Sequence, residues 1–227
     1  MTKRRFKLIL VLCFTLAQMT CLKALCQTGQ PMSDDNDHQK VAPILSVVRA
    51  TGISVWIEYH GSCAADSSQG IPLQLRINSN EQESKTDALA GVRATLRENE
   101  NLSISSATPG VINVSTMNAW SPILHARLND LNLNSTELYN PNWAIAAAIS
   151  ASQASLQGLH AAPLIAFGSL LGEAPSKGRP HLKQSSKYTT LNDLLVDVSR
   201  TFGGVLVYKE CSLADGTHLF DIFFYRQ

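Results

Sequence analysis

The stretch Thr189 to Tyr225, TTLNDLLVDVSRTFGGVLVYKECSLADGTHLFDIFFY, constrains the fold more than any other part of the chain. Leu191, Leu194, Leu195, Val198 and Phe202 recur at helical spacing and share one face, with Asn192, Asp193, Asp197, Ser199 and Arg200 on much of the other. Thr190 is a natural N-cap, and Asp193 three residues on makes a pattern like a capping box. Gly203-Gly204 should stop the helix, because glycine tolerates positive φ there. Val205 to Tyr208 then favours an extended chain, Ala214-Asp215-Gly216 a hairpin turn, and Leu219 to Tyr225 a returning strand. Phe220, Phe223, Phe224 and Tyr225 make both faces of that strand apolar. It is therefore either covered on both sides or exposes a docking face, and core is the expectation.

A weaker copy of this unit runs from Thr86 to Ser115. Asp87 to Val92 can be laid on Asp193 to Val198, and Leu96 then falls where Phe202 does. Leu102 to Ser105 is the strand, Pro109-Gly110 the turn and Val111 to Val114 the return. Upstream, Lys40 to Thr51 places Val41, Ile44, Leu45 and Val48 on one helical face, and Ile53 to Tyr59 alternates as a strand. Ile71, Leu73, Leu75 and Ile77 alternate likewise, and Pro72 puts that strand at an edge or at its own start. Downstream come an Ala-rich helix over Asn142 to Leu156 and a strand over Leu164 to Leu171. This order predicts an α+β fold of two similar small lobes, residues 40–118 and 119–227, each with about two helices packed on a short mixed sheet. A loop near 173–187 is inserted in the second lobe.

The first 26 residues read as a secretory signal peptide. Lys3, Arg4, Arg5 and Lys7 form a basic region, Leu8 to Leu16 an apolar core, and Ala24-Leu25-Cys26 a cleavage site. The apolar run is too short for a membrane span. Residues 27–39 are polar and acidic and are expected to be a flexible leader. Loss of residues 1–26 takes five of the 19 basic residues and none of the 18 acidic ones, leaving a net charge of −4. A mildly acidic chain argues against nucleic acid as a partner.

Of five cysteines only Cys63 and Cys211 lie outside the signal, and in an oxidising compartment two survivors suggest one disulfide. Two unpaired thiols remain the alternative. Other chemistry is thinner. His60, Cys63, Cys211 and His218 offer zinc-type ligands at loose spacing, and His60 beside Cys63 is the sole pairing for a thiol hydrolase. Lys177, Arg179, His181, Lys183 and Lys187 form a basic patch expected to be a solvated loop. No cofactor is implied, because no glycine-rich loop joins a strand to a helix N-terminus.

The run Thr190 to Val198, continued by Phe202-Gly203-Gly204-Val205-Leu206-Val207-Tyr208, resembles the short N-terminal domain shared by secretins and TonB-dependent receptors. Asp87 to Leu96 with Leu102 to Ser105 matches it less fully. The resemblance covers about a third of the chain beyond the signal and rests on hydrophobic pattern and glycine. It implies β-α-β sandwiches in the periplasm that dock protein partners and carry no catalytic residues. The expectation is an exported, non-enzymatic interaction module of the bacterial envelope, with Ile71, Leu73, Leu75 and Ile77 as the docking strand. A small-molecule binder using a cleft between the lobes, and a thiol hydrolase, are the alternatives.

Overall fold

The computed structural model describes residues 33–61, 63, 71, 73, 75, 87–96, 102–116, 121–164, 178–183 and 187–226. Residues 33–227 form one compact unit. Its described elements run α1 (Ser33–Thr51), β1 (Ser54–Gly61), α2 (Ala88–Thr95), β2 (Leu102–Thr108), β3 (Val111–Thr116), α3 (Ser135–Tyr139), α4 (Pro141–Ala151), α5 (Gln153–Gly158), β4 (Ala161–Pro163), α6 (Leu191–Phe202), β5 (Val205–Ser212) and β6 (His218–Tyr225). The α+β class is as expected.

All six strands belong to one mixed sheet in the order β2-β3-β1-β5-β6-β4. β1 is central and runs parallel to β3 on one side and to β5 on the other. The hairpins β2–β3 and β5–β6 are antiparallel. The expected pair of lobes therefore shares a sheet: Val55 to Gly61 pairs with Val205 to Cys211 across the intended boundary. The cleft expected there is occupied by backbone hydrogen bonds. Both helix–hairpin units exist, but they are used in opposite ways. The first meets β1 through its second strand, and the second meets it through its first.

The cause lies in β1 itself. Its sequence alternates, yet both of its faces are buried, Val55 and Ile57 on one side and Ser54 and Trp56 on the other. A strand covered on both faces needs a helical layer on each. One layer is α1 and α2, whose Val41, Ile44, Leu45 and Val92 pack on Val55, Ile57, Val205 and Val207. The other is α3 to α6, whose Leu138, Ile145, Leu194 and Val198 pack on Trp56, Leu206, Phe220 and Phe224. β6 is thus covered on both sides, and the core reading of its aromatic residues holds.

Helix α6 follows its sequence to the residue. Thr190 and Asp193 form a true capping box. Gly203 takes φ 62°, while a Cβ on Gly204 would lie 2.5 Å from the Tyr225 carbonyl oxygen. One glycine is needed for its dihedral and the next for close approach. Ser199, placed on the polar side from sequence, is instead fully buried. Its hydroxyl donates to the Leu195 carbonyl, and its own carbonyl accepts from the Ser54 hydroxyl at 2.6 Å. A helix flanked by other helices buries more than one stripe.

Two further expectations change. The leader was taken to end at residue 39, but α1 begins at Ser33 and leaves Pro43 inside the helix. Proline there removes one backbone bond and costs roughly 3 kcal/mol, so tertiary contacts must hold the earlier turns. The Ala-rich helix ends at Ala151 and restarts at Gln153. At the break, the buried Ser152 hydroxyl donates to the Ile149 carbonyl. β4 precedes the segment Leu164 to Leu171, where a strand is expected. Leu164 still donates its N–H to the Phe220 carbonyl, and residues 165–171 lie outside the described residues.

Candidate functional site

Adjacent residues of a strand point to opposite faces. On β5 this sends Lys209 into one core and Glu210 into the other, and each heads a buried polar network.

On the α1 face, Lys209 is wholly buried and its Nζ lies 2.6 Å from Asp37 Oδ2. A second carboxylate, Asp221 on β6, stands 3.8 Å away. Lys209 also sits 5.2 Å over the Phe223 ring. The trio carries one positive and two negative charges, so one proton would neutralise it. Asp221 is where that proton goes. Burial pushes its carboxyl up to about 6, the Lys209 charge opposes, and the Asp37 charge adds to the rise. The Ile71 amide pulls weakly the other way. Neither Asp221 oxygen reaches hydrogen-bond geometry with a described residue. Through this pair Asp37 ties the first turns of α1 to β5.

On the opposite face, Glu210 Oε2 accepts from the hydroxyls of Tyr208 and Ser121, each at 2.6 Å, and those hydroxyl oxygens are 2.7 Å apart. Two protons serve three close edges, and the carboxylate takes both. The Ile123 N–H adds a bond to Ser121 Oγ at 3.2 Å. Burial, then the charge of Glu210, raises the Tyr208 phenol far above its ordinary value, so it stays a donor. Glu210 Oε1 faces His218 Nδ1 at 2.7 Å. His60 brings Nδ1 to 3.7 Å from Glu210 Oε2 and Nε2 to 3.1 Å from Glu58 Oε1. His60 and His218 are 21% and 32% exposed against 6% for the Glu210 side chain. The network thus runs from a buried carboxylate to two imidazoles at the surface.

This cluster sits at the carboxyl ends of the parallel strands β1 and β5, where ligands of open α/β sheets commonly bind. Glu210 orients His218 in the manner of the second and third members of a catalytic triad. The first member is missing among the described residues. Ser121 is buried and donates to Glu210, while Ser212 Oγ lies 3.3 Å from His218 Nδ1 on the carboxylate side. Among the described residues the arrangement positions an imidazole with no nucleophile against it.

The other residues singled out from sequence fall elsewhere. Cys63 and Cys211 form a disulfide with Cα atoms 5.2 Å apart. The thiol-hydrolase and zinc alternatives therefore lose their thiolates. Among the described residues, no group of three or more His, Cys, Asp or Glu side chains is arranged to hold a metal. Ile71, Leu73 and Leu75 are buried in the core beneath α1, with Lys40 Nζ donating to the Leu73 carbonyl. Ile71, Leu73 and Leu75 belong to none of the described strands, and the residues between them lie outside the described residues. Ile77 lies outside the described residues. Of the basic patch, Arg179, His181, Lys183 and Lys187 are exposed, and Lys177 lies outside the description. His181 stacks on Tyr139 at 4.9 Å. No helix among the described residues is long and apolar enough to cross a membrane.

Lys209, Glu210, Asp221 and Asp37 were missed as site residues, yet two of them carried a signal. With the turn centred on Ala214 to Gly216, hairpin register pairs Lys209 with Asp221. Opposite charges facing each other within two apolar strands are a cross-strand pair. Nothing local could have added Asp37, 172 residues from Lys209.

The sheet edges differ from each other. β4 is three residues long and ends in Pro163. β2 is seven residues, LSISSAT, without charge or proline, and among the described strands it stands at the opposite end of the sheet from β4. Its Leu102 to Ser105 pairs regularly with β3, and a bulge follows between Ser105 and Thr108. Ser103 and Ser105 are exposed.

No protein-family model, curated protein or solved structure matches this chain.

Proposed function

We propose that the protein is an exported, non-enzymatic interaction module of the bacterial envelope that captures an extended segment of a protein partner by strand addition to the outer edge of β2. The observation that carries this reading is the contrast between the edges. A long, uncharged, proline-free strand whose outer backbone groups are unpaired among the described residues is an edge that natural proteins usually blunt. Among the described residues the far edge is β4, which carries Pro163, while β2 keeps a regular stretch from Leu102 to Ser105. The Cys63–Cys211 bond suits an oxidising compartment, as does the signal-like sequence of residues 1–26.

The test is photocrosslinking in the producing cell from position 103 or 105, with position 162 on β4 as the control. One discrete protein adduct from β2 alone is expected. It should fall at least tenfold, on the order of a hot-spot loss, when Ser103→Lys and Ser105→Lys charge the edge. Adducts of equal yield from β4, or adducts indifferent to the lysines, would sink the reading.

A further inference from the structure

A pocket of about 320 Å3 lies at the opposite end of the sheet from the Glu210 cluster, where α1 and α6 end and β1 and β5 begin. Leu45 and Val48 of α1 supply an apolar wall, and Gly203 and Gly204 line the side toward β5. Gly52 and Gly203 have positive φ, and a Cβ on either would meet nothing within 4 Å, so bare backbone faces open space. Arg49 and Arg226 complete the lining, and no acidic side chain contributes to it. Both arginines are exposed, and neither has an ion-pair or hydrogen-bond partner among the described residues.

The plain explanation for Arg49 is its place in the last turn of α1, where a cation offsets the negative helix end. It does not account for the pair. Two helices end here, and together they present about one negative charge against two guanidinium charges. Arg226 follows a strand and serves no helix of its own. Among the described residues a surplus of about one positive charge remains beside an apolar wall.

We propose that this pocket binds a monovalent organic carboxylate with a short apolar body. The two guanidiniums would take the carboxylate oxygens in the bidentate manner arginine favours, and Leu45 and Val48 would take the body. A pocket near the lower end of the usual range of about 300–1,000 Å3 suits a body the size of one leucine side chain. Phosphate is the poorer fit, because its second negative charge exceeds the surplus of about one positive charge that the two helix ends leave. A free branched acid and the C-terminal residue of a protein share this chemistry. The site does not depend on the β2 edge.

The experiment titrates the purified protein with 4-methylpentanoate, N-acetyl-leucine and acetyl-Ala-Ala-Leu, each beside its amide, by calorimetry or amide chemical shifts. Each acid is expected to bind at least tenfold more tightly than its amide. Arg49→Gln and Arg226→Gln are each expected to weaken the acid roughly tenfold, and both side chains are exposed enough for the fold to tolerate the change. Tighter binding of the tripeptide than of 4-methylpentanoate identifies a protein C-terminus as the source, and equal binding identifies a free acid. Amides that bind as well as acids, arginine variants that bind like the parent, or no saturation by about 10 mM would overturn the proposal.

Discussion

At the scale of single residues, Asp221 and Asp193 respond to acid in opposite directions. Asp221 has a folded carboxyl pushed up to about 6 from an ordinary 3.8, first by burial. The folded state then holds the proton more tightly than the unfolded chain. This residue's contribution is full below pH 4 and is lost as pH rises through 6, by about 3 kcal/mol at 1.36 kcal/mol per unit. Asp221→Asn removes that dependence. Between pH 4 and 7.5, the stability of the variant relative to the parent should rise by about that much, read from urea midpoints. Parallel curves would show that Asp221 titrates as an ordinary surface acid. Asp193 is opposed by burial, but its bonds from Thr189 and Thr190 hold its carboxyl below the usual value. Its contribution is present above the unfolded value and is lost on acidification.

At the scale of elements, packing outweighs capping in α6. Leu191, Leu194, Leu195, Val198 and Phe202 are buried, and at ~2 kcal/mol each the gross contribution is on the order of 10 kcal/mol. The Thr190 cap is worth about 1 kcal/mol. Thr190→Ala should therefore lower stability by about 1 kcal/mol, and Leu195→Ala by 2–5 kcal/mol, roughly. Chemical denaturation of both variants checks the ratio, and equal losses would contradict it. Strong amphipathicity, cap and glycine stop agree here, which is why α6, β5 and β6 could be placed from sequence alone. Where α1 was misjudged, the deciding contact was Asp37 with Lys209, and its polar early turns have no apolar face to announce a helix. The Ile71 to Leu75 segment shows the converse. Alternation correctly marked which side chains turn inward, but it cannot say whether the backbone pairs with a sheet.

At the scale of the whole molecule, the Cys63–Cys211 bond closes a loop of 148 residues and joins the chain just past β1 to β5, its neighbour in the sheet. Chain entropy puts the stabilisation from such a closure at about 5 kcal/mol. Replacing both cysteines by serine should lower the unfolding free energy by several kcal/mol, and reductant should do the same to the parent but not to the variant. Unchanged midpoints would mean that the bond adds nothing to a sheet already joined there. The sequence by itself determined the α+β class, α6 and both hairpins, because each rests on local periodicity or turn chemistry, and it suggested the cysteine pair from a count of two. Tertiary structure alone decided that one sheet spans both halves, that Glu210 gathers Ser121 and two histidines, and that β2 stands at the end of the described strands. Those outcomes depend on which strands lie side by side, and strand order is set by the competition for buried faces across the whole chain, which no local window contains.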